Sequence, residues 1–308
     1  MIQIEDLRLV NALASAPSLS AAARSLCVTP PALSTRLKNL ELKLGFNLAV
    51  RSSHRLSLTA EGERFAAEAR QLLDRLEALP ETVQAEGRAL SGSLRVCAPF
   101  GFGRQHVAPL LGQFCAQHPR IALSLDLLET PWPAKHNADI VVHIGEVRDS
   151  SWIAHPLAPN ERWLCASPAY LKTGRFIPKT PREVLAHPCI SIRENDEDAT
   201  LWHCRKRGRG GKPAGERQSL RIAPALTTND GEVARRWCEQ GLGLALRSEW
   251  DAAPAVAGRR LVRLLPEWSF GEVPVLALTP ARTGTTARAR ALLGFFQQAF
   301  APHPAWRS

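Results

Sequence analysis

A chain of 308 residues is long enough for about two domains, which excludes a disulfide-stapled miniprotein. Its 45% apolar and 22% charged residues exclude wholesale disorder. Lys plus Arg number 39 against 29 Asp plus Glu, a formal charge of +10, which suits a polyanionic partner and equally an Arg-rich coding bias.

The seven cysteines, at 27, 97, 115, 165, 189, 204 and 238, are scattered and never spaced C-x-x-C. Neither a disulfide framework nor a zinc ribbon is indicated, and most of them read as small buried hydrophobes. Met1 to Leu13 carries Glu5 and Asp6 where a signal peptide needs basic residues, and no apolar run reaches the length of a membrane span. The expected location is the cytoplasm, with no membrane partner. His143 and His203 lack companions at metal-ligand spacing, so neither a metal nor another cofactor is expected.

Residues 1–58 read as short helices followed by a hairpin. Ser18 caps a helix through Leu26, Cys27-Val28 turns, and Thr29 caps a second helix opened by Pro30-Pro31, whose missing amides would have been unpaired anyway. Leu33, Leu37, Leu40 and Leu44 give that helix one buried face, and Gly45 supplies a left-handed end. Its other face offers Thr29, Ser34, Thr35, Arg36 and Lys38, hydroxyls and cations suited to base edges and phosphates; an ordinary helical hairpin with a solvated face fits the spacing equally. Val50 to Leu58, carrying Arg51, His54 and Arg55, reads as a β-wing.

Residues 59–90 lack strand signals. Phe65, Ala69, Leu72, Leu76, Leu79 and Val83 recur at gaps of 4, 3, 4, 3 and 4, a heptad seam that joins two chains or packs on its own domain. Pro80 should kink or end this helix near Leu79, with a flexible exit at Gly87 and Ser91-Gly92-Ser93.

Residues 91–308 alternate strands with helices. Strands are expected at 94–98, 121–127, 140–144, 163–166, 189–192, 226–228, 242–246, 261–265 and 273–278, mostly parallel, with a last helix from Arg288 to Phe300 returning to the first sheet. Ligands in such folds sit beyond strand C-termini. Four such ends are candidates: Phe100-Gly101-Phe102-Gly103-Arg104, Gly145-Glu146, Asn229-Asp230 and Arg247, with Trp202 as an aromatic wall. The basic tract Arg205 to Lys212 reads as a solvated hairpin tip.

The pattern Ser20-Ala21-Ala22-Ala23, Leu26, Thr29 through Glu41, Leu44-Gly45, Leu48, Arg51 and Leu58-Thr59 with Gly62 resembles the amino-terminal domain of LysR-type transcriptional regulators. Ala98 to Arg104, Cys165 to Leu171, Arg193 to Asp196, Leu201-Trp202, Asn229 to Glu232 and Gly241 to Trp250 extend the resemblance over nearly the whole chain, toward the branch that includes D-malate-responsive regulators. It departs from the family where Leu19 and Ala49 replace Phe, Pro30 replaces Gln and Thr35 replaces Arg.

The resemblance implies an N-terminal all-α winged helix-turn-helix (1–58), a long linker and dimerisation helix (59–90), and a C-terminal α/β two-lobed domain like periplasmic binding proteins (91–308). Lobe I would take about 91–163 and 268–308, and lobe II about 164–267. It implies a regulator that is not an enzyme, binding double-stranded DNA as a homodimer or homotetramer and responding to a small organic or hydroxy acid, with RNA polymerase a partner of an activator. Ser20, Pro30 and Pro31 join the candidate DNA contacts on this ground. Two alternatives compete: an α/β enzyme with Cys165 as a thiol nucleophile, for which no base is identifiable, and a solute-binding protein.

Overall fold

The computed structural model describes residues 2–51, 56–83, 90–129, 131, 138–147, 152–173, 176–193, 198–208, 210, 213–280 and 285–307. The chain divides into two compact units, Met1–Arg88 and Ala89–Ser308.

In the first unit, α1 (Ile4–Ser15), α2 (Leu19–Ser25) and α3 (Pro30–Leu44) surround a core of Leu9, Val10, Leu13, Ala22, Ala23, Leu33, Leu37 and Leu40. Local capping sets their ends. Ser18 Oγ accepts from Ala21 N at 3.2 Å, Thr29 Oγ1 accepts from Ala32 N at 3.4 Å, and Gly45 at φ 79° closes α3 in the left-handed region that a side chain disfavours. β1 (Ala49–Arg51) and β2 (Leu56–Leu58) pair antiparallel as the wing. Its tip, with the expected contacts His54 and Arg55, lies outside the described residues, as does the side chain of Arg51.

The linker helix α4 spans Ala60–Val83, capped by Thr59 Oγ1, which accepts from Gly62 N at 2.9 Å. It runs past Pro80 instead of ending near Leu79. The expected seam divides. Ala69 is buried together with Ala66 and Leu73, and Phe65 packs on the unit's own core, whereas Leu72 and Leu76 stand 49% and 43% exposed. The side chains of Leu79 and Val83, and Gly87 in the exit, lie outside the described residues.

The second unit holds two five-stranded sheets with the same pairing scheme. In lobe I the order is β4 (Ile121–Leu128), β3 (Gly92–Pro99), β5 (Ile140–Ile144), β15 (Val275–Pro280), β6 (Trp152–Ala158). In lobe II it is β11 (Pro224–Thr228), β8 (Cys189–Ile192), β12 (Leu244–Ser248), β7 (Arg162–Ala166), β13 (Val262–Leu264). Each sheet is parallel through its first three strands and antiparallel through its last two. The sheets are therefore mixed, not mostly parallel: a strand entering from the other lobe, β15 or β7, runs opposite to the strands of the βαβ crossovers.

The basic tract is also corrected. Arg205, Lys206 and Arg207 belong to β9 (Leu201–Arg207), which pairs antiparallel with β10 (Pro213–Arg221) and β14 (Trp268–Ser269). Arg207 bonds Glu161, so this part of the tract is paired strand and not solvated tip; Arg209, Gly211 and Lys212 lie outside the described residues.

The chain crosses between lobes twice, near 158–162 and 271–275, and the crossings are tied to each other. Arg162 N donates to Gly271 O at 3.0 Å, Val273 N to Asn160 O at 2.9 Å, and the Asn160 side chain to Val273 O at 2.9 Å. The return falls after 268 because Trp268 and Ser269 pair with β9. α10 (Ala287–Phe300) buries Ala289, Leu292, Leu293 and Phe296 in the lobe I core, as its apolar spacing predicts.

A helix-turn-helix face and a cleft between the lobes

On α3, Pro30, Pro31, Thr35, Arg36 and Lys38 are exposed and Ser34 is half-buried; Thr29 and Ser20 are exposed at the starts of α3 and α2. Leu33, Leu37 and Leu40 turn inward on the same helix, so α3 presents one continuous polar face. Thr35 is partly engaged, its hydroxyl donating to the Pro31 carbonyl at 3.1 Å, and Arg36 and Lys38 beside it are exposed cations. Such a face, opened by a helix N-terminus and carrying hydroxyls and cations, matches a duplex major groove and its phosphates.

In the second unit a cavity opens where strands from both sheets end against the crossings. It is lined by Phe100, Gly101, Phe102, Glu129, His143, Ile144, Arg162, Asn229, Arg247, Ser248, Trp250 and Val273 among others. Phe100 begins a continuous helical run, 100–117, made of α5 (Phe100–Phe102), a π-turn (Gly103–Val107) and α6 (Ala108–Gln117). Its first amides have no carbonyl within the helix to bond and carry the positive end of its dipole. Gly101 permits this approach, since a Cβ there would stand 2.9 Å from the ring of Trp250.

The nearby charges are differently committed. Arg247, only 4% exposed, donates to Asp251 through Nε and Nη2, both at 2.9 Å, and Asp251 also accepts from Arg235 at 2.9 Å. Gly231, at the start of α8 (Gly231–Glu239), leaves room for the Arg247 guanidinium, with which a methyl group would collide. Arg104 bridges the lobes to Asp230 at 3.2 Å and Glu232 at 3.4 Å. Asp230 also caps α8, accepting from the amides of Glu232 at 2.8 Å and Val233 at 3.1 Å. Burial alone would raise the Asp230 carboxyl; the Val233 amide, the Arg104 hydrogen bond, the Glu232 amide and the Arg104 charge outweigh it and hold it below the usual range.

Of the residues expected at this cleft, Phe100, Gly101, Phe102, Asn229 and Arg247 line the cavity. Gly103, Arg104, Gly145, Glu146 and Asp230 are not among its lining residues. Trp202 is not a wall of it. It is 6% exposed within the lobe II core, where it pairs across the ladder with Leu220, and it lines a second depression with Asp198 and Leu246, which shares Arg162 with the first. Sequence reasoning missed Glu129, Arg162 and Trp250. Arg162 opens a strand at a lobe crossing and Trp250 lies three residues after Arg247, at the start of the helix that follows β12, but only the folded crossings bring either one to the cleft.

Cys165 is fully buried; burial first, and then Cys238 beside it, push its thiol well above the ordinary value. The nucleophile required by an enzymatic reading is therefore a thiol held neutral away from the cleft. Among the described residues no three His, Cys, Asp or Glu side chains are grouped to hold a metal, and no helix is long and apolar enough to cross a membrane.

Residues 4–63 match the family described as bacterial regulatory helix-turn-helix protein, lysR family, and residues 87–301 match the LysR substrate binding domain. The chain is 32% identical over 301 residues to the HTH-type transcriptional regulator DmlR of Escherichia coli (strain K12), covering 97% of this chain and 95% of DmlR. It is 31% identical over 266 residues to the HTH-type transcriptional activator TtdR of the same strain, covering 86% of this chain and 83% of TtdR. The solved structure of CrgA, a LysR-type transcriptional regulator from Neisseria meningitidis, superposes with a TM-score of 0.58 at 27% identity, covering 98% of this chain and 100% of CrgA. The helix-turn-helix unit, the two-lobed unit with its cleft and these matches agree: the chain belongs to the LysR family of DNA-binding transcriptional regulators, which respond to small-molecule effectors through the second domain.

Proposed function

We propose that this regulator reads its operator through α3 and senses a small organic acid in the cleft of residues 91–308. Ser34, Thr35, Arg36 and Lys38 face the major groove in this reading, and Ser20, Thr29, Pro30 and Pro31 approach the flanking backbone. Arg51, His54 and Arg55 of the wing reach the neighbouring minor groove. The helix within 59–90 pairs two chains through Leu72 and Leu76, whose exposure one turn apart supports that role. Two such pairs make a tetramer, the site of action is the cytoplasm, and RNA polymerase is the further partner at promoters it activates.

One observation carries the choice of an acid: the cavity is lined both by the N-terminus of the 100–117 helical run and by Arg162, at the first crossing of the two lobes. A carboxylate there would meet helix amides that have no acceptor within the helix, together with the charge of Arg162, and closure of the lobes around it would be a movement the ligand itself stabilises. The test is a gel shift with the DNA upstream of the protein's own coding region, with and without millimolar organic acids. Retarded DNA whose mobility or footprint changes with an acid is the expected result. A shift indifferent to every acid leaves DNA binding standing and removes the acid.

A further inference from the structure

Glu146 and Asp230 are the carboxylates that sequence spacing brings toward the cleft, yet neither lines the cavity. Asp230 is already bonded to two helix amides and to Arg104. The acidic side chain that does line it is Glu129, one residue beyond β4 at the C-terminal edge of the lobe I sheet. Among the described residues its carboxylate accepts one hydrogen bond, from Asn229 Nδ2 at 3.2 Å, and Asn229 approaches from the end of β11 in the opposite lobe. A carboxylate has about four lone-pair positions, so Glu129 keeps acceptor capacity at the seam where the lobes meet.

We propose that Glu129 determines effector specificity by accepting a hydrogen bond from a donor group next to the effector's carboxylate, a hydroxyl or an ammonium at C2. This rests on the acid reading above and narrows it. A ligand with only carboxylates would set a second negative charge against Glu129 and leave its acceptors unmet as the lobes close, both of which weaken binding. A C2 donor removes both penalties, and it bridges the seam that Asn229 now spans. Arg247 does not cancel the charge of Glu129, because its own charge is committed to Asp251. Sites built to bond a ligand's hydroxyl discriminate strongly against the analogue that lacks it; for the exposed side chain of Glu129 the expected preference is at least about tenfold.

The test uses the full chain and two matched triads that differ only at C2: propionate, lactate and alanine, and succinate, malate and aspartate, with both enantiomers of each chiral acid. Calorimetry on the wild type should show at least one hydroxy or amino acid binding at least about tenfold more tightly than its unsubstituted partner. Comparison within a triad separates hydroxyl from ammonium. Glu129→Gln should abolish that preference or turn it toward succinate, with an unchanged melting temperature, since this exposed side chain makes one hydrogen bond. Equal binding across a triad by the wild type, or a preference that survives in Glu129→Gln, overturns the role of Glu129 and leaves the acid reading standing. Failure of the wild type to bind any member overturns the acid reading, and this inference with it.

Discussion

Replacing Asp251 by Asn keeps the side chain's shape and removes its charge at the most enclosed ion cluster among the described residues, beside the cleft between the lobes. Asp251 is 1% exposed as a side chain; one oxygen receives Arg247 Nε and Nη2 at 2.9 Å, and the other receives Arg235 at 2.9 Å. Breaking a buried pair from one side costs about 3–5 kcal/mol, because the remaining charge stays desolvated. Arg235 keeps Glu239 at 2.6 Å and loses less, whereas Arg247, 4% exposed, keeps no partner of that quality. The lower end of the range, about 3 kcal/mol, therefore applies. For a unit of this size that lowers the melting temperature by roughly 6–12 °C. All eight tryptophans lie beyond residue 130, so intrinsic fluorescence follows the unfolding of the second unit alone in the full chain. A four-form cycle with Arg247→Met should give a coupling above about 1 kcal/mol. A loss below about 1 kcal/mol, or a coupling near zero, would refute the argument that this cluster holds the cleft wall.

Arg36→Ala should weaken operator binding without altering the fold: the salt slope falls by about one unit for a phosphate contact, or about 1–3 kcal/mol is lost at one base pair for a guanine contact, and unchanged affinity on a mapped operator removes Arg36 from the interface. Leu72→Asp with Leu76→Asp should yield monomers in sedimentation, since carboxylates buried at a helix pair lack partners; undiminished dimers would place the interface elsewhere. Burial holds the His106 imidazole neutral in the fold, lowered to about 4 from 6.5, with Asp251 opposing. The unfolded chain then binds the proton first, and stability falls from pH 6.5 toward 4 by up to about 1.4 kcal/mol per pH unit. In His106→Phe that slope should flatten on urea denaturation at stepped pH, and an unaltered slope would exclude His106 as its source. Glu161 acts in a lower window: its carboxyl is held below the ordinary range by Trp163, Arg207 and Arg263 against the effect of burial, so its contribution is lost only as pH falls through that depressed value.

What the sequence disclosed depended on how local the governing chemistry was. The start and end of α3 were legible because Thr29, the two prolines and Gly45 act within a few residues of themselves. The runs 140–144 and 189–192 were legible because buried strands need continuous apolar residues. β9 and β10 were hidden by their composition: a sheet with one solvated face accepts Arg205 and Lys206, which read as part of a hairpin tip, and across from them the polar run with Glu216 and Arg217. Trp202 was misplaced because alternation along β9 does not say which face meets the core; Leu220 across the ladder decides it. The linker seam had a similar ambiguity. A 4-3-4 spacing describes a stripe, and only the burial of Ala66, Ala69 and Leu73 shows that Leu72 and Leu76 are the outward members.

The cleft was half legible for a deeper reason. Strand ends such as Phe100 and Asn229 converge by topology, which interleaved strands and helices reveal, but Arg162, Trp250 and Val273 arrive through the two crossings and the helix docked on them. α9 (Glu249–Ala257) starts on the crossings themselves, with Glu249 N donating to Glu161 O at 2.8 Å and Trp250 N to Asn160 Oδ1 at 3.2 Å. The same Asn160 clips the second crossing through Val273 O, so one buried amide joins both crossings and the helix. Along α9, Trp250 enters the lobe I core, edge-on to Phe102 at 5.4 Å, while Ala252 and Ala255 enter the lobe II core. Arg307 grips Glu249 with two bonds of 2.9 and 2.6 Å and ties the end of the chain to the same turn. A helix shared between two cores cannot follow one lobe without shearing against the other. Relative movement of the lobes must therefore shift α9 against one of the two cores, at Ala252 and Ala255 in lobe II or at Trp250 against Gly101, the helix start where the proposed carboxylate binds.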